Sequence, residues 1–378
     1  MIIENATVYT EENTFEDKEI YIAGTAFAES PSEEEVLNGA GCYAIPGLTD
    51  IHFHGCMGAD VSDGTMEALD TMADYEARHG ITTIVPATMT LSEETLLSAC
   101  EAAREFRRKQ EAGEKEKKAI LCGINMEGPF VSKAKMGAQN PDYIQKTNQQ
   151  LFDRMQEKSG GMIKFVAIAP ETDGAMEFIR VNKDRTVLSI AHTEADYDTA
   201  AHAFAAGACH VTHLYNAMTP FTHRDPAVIG AAVDAGAEAE LICDGVHVHP
   251  AAVRMALKLF GEDRIILISD SMRATGLKEG IYTLGGQKVE VKGRYARLEN
   301  GSLAGSVTNL MDCMRWAVKE AGIPLSTAVK CAAVNSAKSA GIYEKYGSIT
   351  PGKQANLVLL DKEDLSLRHV ILKGKILT

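Results

Sequence analysis

The sequence predicts an α/β chain, a (β/α)8 TIM-type barrel with a small β-sandwich domain assembled from both chain termini. Three observations carry this expectation. Eight short, near-continuous apolar runs recur along the chain, each followed by helical patterning, as in parallel strands buried on both faces. Both ends instead alternate apolar and polar residues between turn residues such as Gly24 and Gly374. No G-x-G-x-x-G opens a helix after any strand, which removes the usual dinucleotide use of an open doubly wound sheet.

In order, the alternating pattern covers residues 1–30 and returns over 355–377. A single hairpin is marginal in water, so the two ends are expected to share one β domain of residues 1–43 and 344–378. The barrel then takes residues 44–343. Its apolar runs are 44–53, 81–88, 119–126, 162–169, 186–192, 209–214, 239–244 and 264–270. Ser92 followed by Glu93 and Glu94 reads as an N-cap with first-turn acids, opening a helix through Leu96, Ala99 and Ala103. Residues 196–206 and 250–260 read as further helices, and 281–303 as a hairpin-like insertion after the eighth strand.

Composition bounds the partners. Of 378 residues, 38 are basic and 52 acidic, a formal charge of −14. No Lys/Arg run offers a footprint for a phosphate backbone, so nucleic acid is not expected. An anionic membrane surface is disfavoured for the same reason. The N-terminus lacks the charged and apolar blocks of a signal peptide, and no apolar run is long enough to span a bilayer. Eight cysteines are scattered without a C-x-x-C pair, several within apolar runs. That usage fits free thiols in a reducing cytoplasm.

Barrel active sites lie at the C-terminal strand ends. Those positions hold His52 and His54 after strand one, Glu127 after strand three and His192 after strand five. His213 ends strand six, Asp244 and His247 follow strand seven, and Asp270 ends strand eight. His52 and His54, two apart on a strand, point the same way and suit a shared metal. Glu127, His192 and His213 form a three-ligand set that leaves coordination open for water. A second H-x-H, His247 and His249, competes with the first; His249 precedes Pro250 at a helix start, and His247 is placed as a donor into the mouth. Asp270 reads as general base and then general acid beside a metal-activated water. Donors of this kind suit Zn2+ or Fe2+. The remaining histidines, 79, 202, 210, 223 and 369, read as structural or surface residues.

With these residues in view, the sequence resembles the amidohydrolase superfamily. The resemblance rests on His52-Phe-His54-Gly, Glu127-Gly-Pro-Phe, Ala191-His-Thr, Thr212-His-Leu-Tyr-Asn-Ala-Met, Asp244-Gly-Val-His247 and Ser269-Asp-Ser. More narrowly, it resembles the N-acetylglucosamine-6-phosphate deacetylase family, over almost the whole chain. Leu303-Ala-Gly-Ser306 and Pro351-Gly-Lys-Gln-Ala-Asn-Leu-Val extend the likeness.

The resemblance implies one catalytic metal on Glu127, His192 and His213, with Asp270 beside it, and a second site on His52 and His54 bridged by Glu127. It implies Asn216, Ala217 and Arg224 at the sugar phosphate, Leu303, Ala304 and Gly305 along the sugar pocket, and His247 at the substrate carbonyl. Ala138 and Gln139 lie in the loop after Glu-Gly-Pro, where some relatives carry a histidine in place of Gln139. The implied reaction is hydrolysis of the N-acetyl amide of N-acetylglucosamine 6-phosphate, by a homodimer in which Arg224 serves the neighbouring subunit. N-acetylgalactosamine 6-phosphate is the alternative substrate. A non-catalytic scaffold is disfavoured, because the ligands and the base are all present.

Overall fold

The computed structural model describes residues 1–31 and 35–378. All eight apolar runs contain a strand. In chain order these are β1 Leu48–Asp50, β2 Ile81–Ile84, β3 in two pieces at Ile120–Leu121 and Ile124–Met126, and β4 Ile163–Ile168. β5 Val187–Ile190, β6 His210–Val211, β7 Glu238–Ile242 and β8 Ile265–Ile268 complete the series.

Every pairing along the series is parallel. Ile84 lies opposite Asp50 on one side and Leu121 on the other. From the second piece of β3 the sheet continues through β4 to β8, with Ile168 against Ile190 and Ile242 against Ile268. The sheet curls. Just past its two ends, the Asp270 amide donates to the His52 carbonyl (2.9 Å) and the His54 amide to the Ser271 carbonyl (2.7 Å).

Helices alternate with the strands: α1 Met66–Arg78, α2 Glu93–Glu111, α3 Gln149–Ser159, α4 Ala175–Asn182, α5 Tyr197–Ala206, α6 Ala227–Ala235, α7 Pro250–Phe260 and α8 Leu310–Lys319. Their starts follow local chemistry. Ser92 accepts the Thr95 amide, Asp196 accepts the Thr199 amide, and His249 caps α7 by accepting the Ala251 amide. Each helix lays an apolar stripe on the sheet; α2 buries Leu96, Ala99, Cys100, Ala103 and Phe106. Inside the curl, Ile51, Val85, Phe165, Ile242, Ile266 and Ile268 form a separate buried cluster.

The termini pair as expected from their alternation. One sheet joins Ala26–Ala28, Ile20–Ala23, Ile2–Glu4 and Val36–Asn38. Another joins Lys375–Ile376, Leu367–Leu372, Leu357–Asp361, Cys42–Pro46, Thr7–Tyr9 and Phe15–Asp17. Cys42–Pro46 belongs to this terminal sheet, and the chain enters β1 directly after Gly47. The insertion is three-stranded, Gly280–Leu284, Gln287–Lys292 and Tyr295–Leu298, because both Gly285-Gly286 and Gly293-Arg294 make turns. Among the described residues no helix is long and apolar enough to cross a membrane.

Candidate metal centre and active site

The strand ends converge on Glu127. Its Oε1 lies 3.1 Å from His192 Nε2, 3.1 Å from His213 Nε2 and 3.5 Å from His52 Nε2. Its Oε2 lies 3.3 Å from His54 Nε2, which in turn is 3.3 Å from Asp270 Oδ1. All six side chains are buried. The backbone is bent to bring them in: His192, His213 and Asp270 adopt φ of 44°, 30° and 48°, a left-handed conformation that costs L residues of order 1–3 kcal/mol and clusters at functional sites.

Three of the four imidazoles are aimed by what their far nitrogen touches. His54 Nδ1 donates to the Ala87 carbonyl (2.9 Å) and His192 Nδ1 to the Lys135 carbonyl (2.9 Å). His52 Nδ1 donates to Glu240 Oε2 (2.8 Å), whose same oxygen accepts the His213 amide (3.1 Å). Nε2 of these three rings is therefore left with its lone pair toward Glu127, the arrangement in which histidines bind metals.

Burial disfavours charge on His52, but Glu240 and Glu127 reverse this and hold its pKa well above the ordinary value. Burial pushes Glu127 up, and the imidazoles around it, His52 first, outweigh that and hold it well below the carboxylate range. Asp270 is likewise raised by burial and brought below its usual value by His54 and His52. Two donor sets result, His52, His54 and Glu127, and Glu127, His192 and His213, each with donor atoms within 4.8 Å of one another. Buried carboxylate and imidazole donors with no Lys or Arg among the described residues paired to them suit a divalent cation, and the shared Glu127 suits a bridging position.

Above the donors lies a cavity of about 300 Å3. Of the sequence-predicted site residues, Ala138, Gln139, Asn216, Ala217, His247, Leu303 and Gly305 line it together with Glu127, His192, His213 and Asp270. His52 lies beneath, fully buried, and Ala304 is buried behind the lining. Arg224 does not line this cavity; it sits exposed on the loop before α6, beside Asp225 and the Asp196 to Asp198 turn. Gln139 is turned inward. Its amide donates to Glu127 Oε2 (2.6 Å) and accepts the Thr90 amide (2.7 Å), so it orients the carboxylate.

His247 Nδ1 is held by Asp244 Oδ2 (2.8 Å), while Asp244 Oδ1 accepts the Val246 and His247 amides. Burial lowers the His247 pKa, Asp244 more than restores it, and the ring is kept above its ordinary value. His249 is exposed at the α7 N-cap and takes no part. Glu240 was not among the expected site residues. Its signal was present: it is the one charged residue in Ala239-Glu-Leu-Ile-Cys243, an otherwise apolar strand. Met89 and Leu284 also join the lining.

Comparison with known proteins agrees with this geometry. The amidohydrolase family model matches residues 43–377. The N-acetylglucosamine-6-phosphate deacetylase of Bacillus subtilis is 38% identical, covering 100% of this chain and 95% of the relative. The N-acetylgalactosamine-6-phosphate deacetylase of Escherichia coli O157:H7 is 34% identical over 97% of this chain and 96% of the relative. Among solved structures, a mutant N-acetyl-D-glucosamine-6-phosphate deacetylase from Mycobacterium smegmatis in complex with N-acetyl-D-glucosamine-6-phosphate superposes with a TM-score of 0.90 at 31% identity, covering 100% of this chain and 99% of that one. The chain belongs to the amidohydrolase family and groups within it with the N-acetylglucosamine-6-phosphate deacetylases.

Proposed function

We propose that this chain hydrolyses the N-acetyl amide of N-acetylglucosamine 6-phosphate to glucosamine 6-phosphate and acetate, in amino-sugar catabolism. One observation carries the reading. Two imidazoles and a carboxylate, His192, His213 and Glu127, meet within 3.1 Å in a cavity that also presents Asp270 and the Asp244-held His247. Full-length likeness to named deacetylases supplies the substrate class.

Glu127, His192 and His213 would hold one divalent cation, with Asp270 beside it, and His52 and His54 a second across Glu127. Zn2+ is the first expectation and Fe2+ the second. Such a cation supplies Lewis-acid polarisation of the amide carbonyl and lowers the pKa of a nearby water. Asp270 takes the proton from the attacking water and delivers it to the departing amine nitrogen. His247, held at Nδ1 by Asp244, would donate from Nε2, when that nitrogen carries a proton, to the carbonyl oxygen as charge develops there. Asn216, Ala217 and Ala138 border the sugar, with Leu303 and Gly305 closing the opposite wall and Ala304 backing them. Gln139 acts through Glu127.

We assign the phosphate grip to Arg224 of a neighbouring subunit in a homodimer, consistent with its exposure outside its own chain's cavity. We read the parallel strands as an eight-stranded barrel running to residue 343 that begins at Leu48, later than the expected residue 44 because residues 42–46 pair in the terminal sheet, and the backbone bonds between the β1 and β8 ends support it. The second domain then takes residues 1–46 and 344–378. Ile3, Ile22 and Phe27 of one terminal sheet share a buried cluster with Val8, Leu359 and Ile371 of the other, which supports a sandwich. A cytoplasmic setting accords with the eight free cysteines.

The test is acetate release from N-acetylglucosamine 6-phosphate, with metal content measured in the same preparation. Stoichiometric metal without acetate release would overturn the reading. The 34% identical galactosamine relative favours the 4-epimer as second reading, and running both epimers, with and without phosphate, separates the two.

A further inference from the structure

At the opposite end of the parallel strands from the catalytic cavity, the structure opens a groove of about 1000 Å3. Its walls are the C-terminal half of α2, the Gly160-Gly161 turn leading into β4, and residues 341–346; Cys122 of β3 and Tyr346 lie along it. A smaller cavity of about 410 Å3 adjoins it, sharing Arg107, Glu111, Lys345 and Tyr346, and reaches Lys373 of the terminal sheet.

The charge of this groove is not balanced. Arg107 pairs with Glu111 (2.8 Å), Arg108 with Glu105 (2.8 Å) and Lys158 with Glu101 (3.6 Å). Arg104, Lys164, Lys345 and Lys373 make no side-chain hydrogen bond or ion pair with any described residue, against one unpaired acid, Glu344. Burial raises the Cys122 thiol pKa, and Arg107, Lys164 and Lys345, which line the groove with it, each pull it down. Burial lowers the Lys373 pKa, Glu116 offsets part of that, and Arg107 and Lys375 lower it further. In a chain of formal charge −14, such a concentration of unmatched positive charge in a concavity marks an anion site.

We propose that this groove binds a small phosphate dianion, free or as a monoester, seated among Arg107, Lys164 and Lys345. Its volume is at the upper end of the roughly 300–1,000 Å3 typical of small-molecule sites. A nucleic-acid strand is excluded by the interleaved Glu101, Glu105, Glu111 and Glu344, which repel a tracking backbone. The site is independent of the deacetylase reading, because it shares no residue with the catalytic cavity.

Lysine footprinting of the metal-loaded protein tests it. Acetylation by an N-hydroxysuccinimide ester is mapped by mass spectrometry at constant ionic strength, with inorganic phosphate in one arm and glycerol 3-phosphate in another. Protection follows 1 + [L]/Kd, so Lys164 and Lys345 should react about three-fold more slowly at twice the dissociation constant, with Lys18 and Lys292 unchanged. Protection in either arm supports the site, and the comparison tells free phosphate from monoester. In Lys164→Glu the protection of Lys345 should vanish; in Arg224→Ala it should persist. Equal acetylation of Lys345 in both arms with and without anion, or protection that survives Lys164→Glu, would overturn the proposal.

Discussion

Asp270 and Gln139 both sit against the donor cluster, yet their chemistry differs. Asp270 Oδ1 touches His54 Nε2 at 3.3 Å, whereas Gln139, which lines the same cavity, bonds through its amide to Glu127 Oε2 and the Thr90 amide. Asp270→Asn keeps the shape and removes the proton acceptor. It should lower kcat by about 10²–10⁴-fold, the usual worth of a general acid–base, with metal retained on Glu127, His192 and His213. Near-normal turnover in that variant would remove Asp270 from the proton path. Gln139→Leu instead frees Glu127 Oε2 and leaves the Thr90 amide unpaired. Metal affinity should fall roughly 10–100-fold, with kcat recovering at saturating metal. Titration with a competing chelator measures it, and unchanged affinity would show that Gln139 merely fills space.

At the scale of the element, α1 carries a carboxyl group that burial keeps from ionising. Glu76 is fully buried with both carboxylate oxygens unpaired, beside the Cys56 thiol. Burial, reinforced by Asp50, raises its pKa well above the carboxylate range. The folded chain therefore keeps a proton that the unfolded chain releases above about 4.3. The resulting stability is complete below that unfolded value and is lost as pH rises toward the folded one. Glu76→Met should remove this loss, raising stability by about 1–3 kcal/mol at pH 8 and by less at pH 5. Melting curves at the two pH values decide it; an equal gain at both would assign the effect to packing alone. Elements were readable from sequence where burial writes a pattern. The eight apolar runs became strands because a parallel sheet buried on both faces tolerates little else. The strand-end rule points to His52, His54, Glu127, His192, His213, His247 and Asp270, because each lies at or within three residues of the C-terminal end of its apolar run. It passed over Glu240 because that carboxylate lies inside β7, where its partner His52 is 188 residues away. The inward turn of Gln139 was equally hidden, since it depends on the Thr90 amide, 49 residues off.

Across the whole molecule, the donor cluster gathers the ends of β1, β3, β5, β6 and β8, with Glu240 reaching in from β7. Arg224 lies outside its own chain's cavity, where we propose that it serves a neighbouring subunit's site. Arg224→Ala should raise KM for phosphorylated substrate while sparing kcat, and active hybrids formed with an Asp270→Asn chain would locate it across the subunit boundary. The same convergence couples metal to folding. Glu127, Asp270 and Glu240 are buried carboxylates held beside one another mainly by imidazoles, with the Gln139 amide on Glu127 and the His213 backbone amide on Glu240. A divalent cation answers all of them at once and binds the folded chain alone, so it stabilises by RT ln(1 + [M]/Kd), about 4.1 kcal/mol at a thousand-fold excess over Kd. The melting temperature of the chelated protein should therefore climb with the logarithm of added Zn2+. His192→Ala, which breaks the Glu127, His192 and His213 set, should flatten that climb. A melting temperature indifferent to metal in the unsubstituted protein would mean that the strand ends are held by their own hydrogen bonds, and that the imidazoles around Glu127 serve the fold instead of a cation.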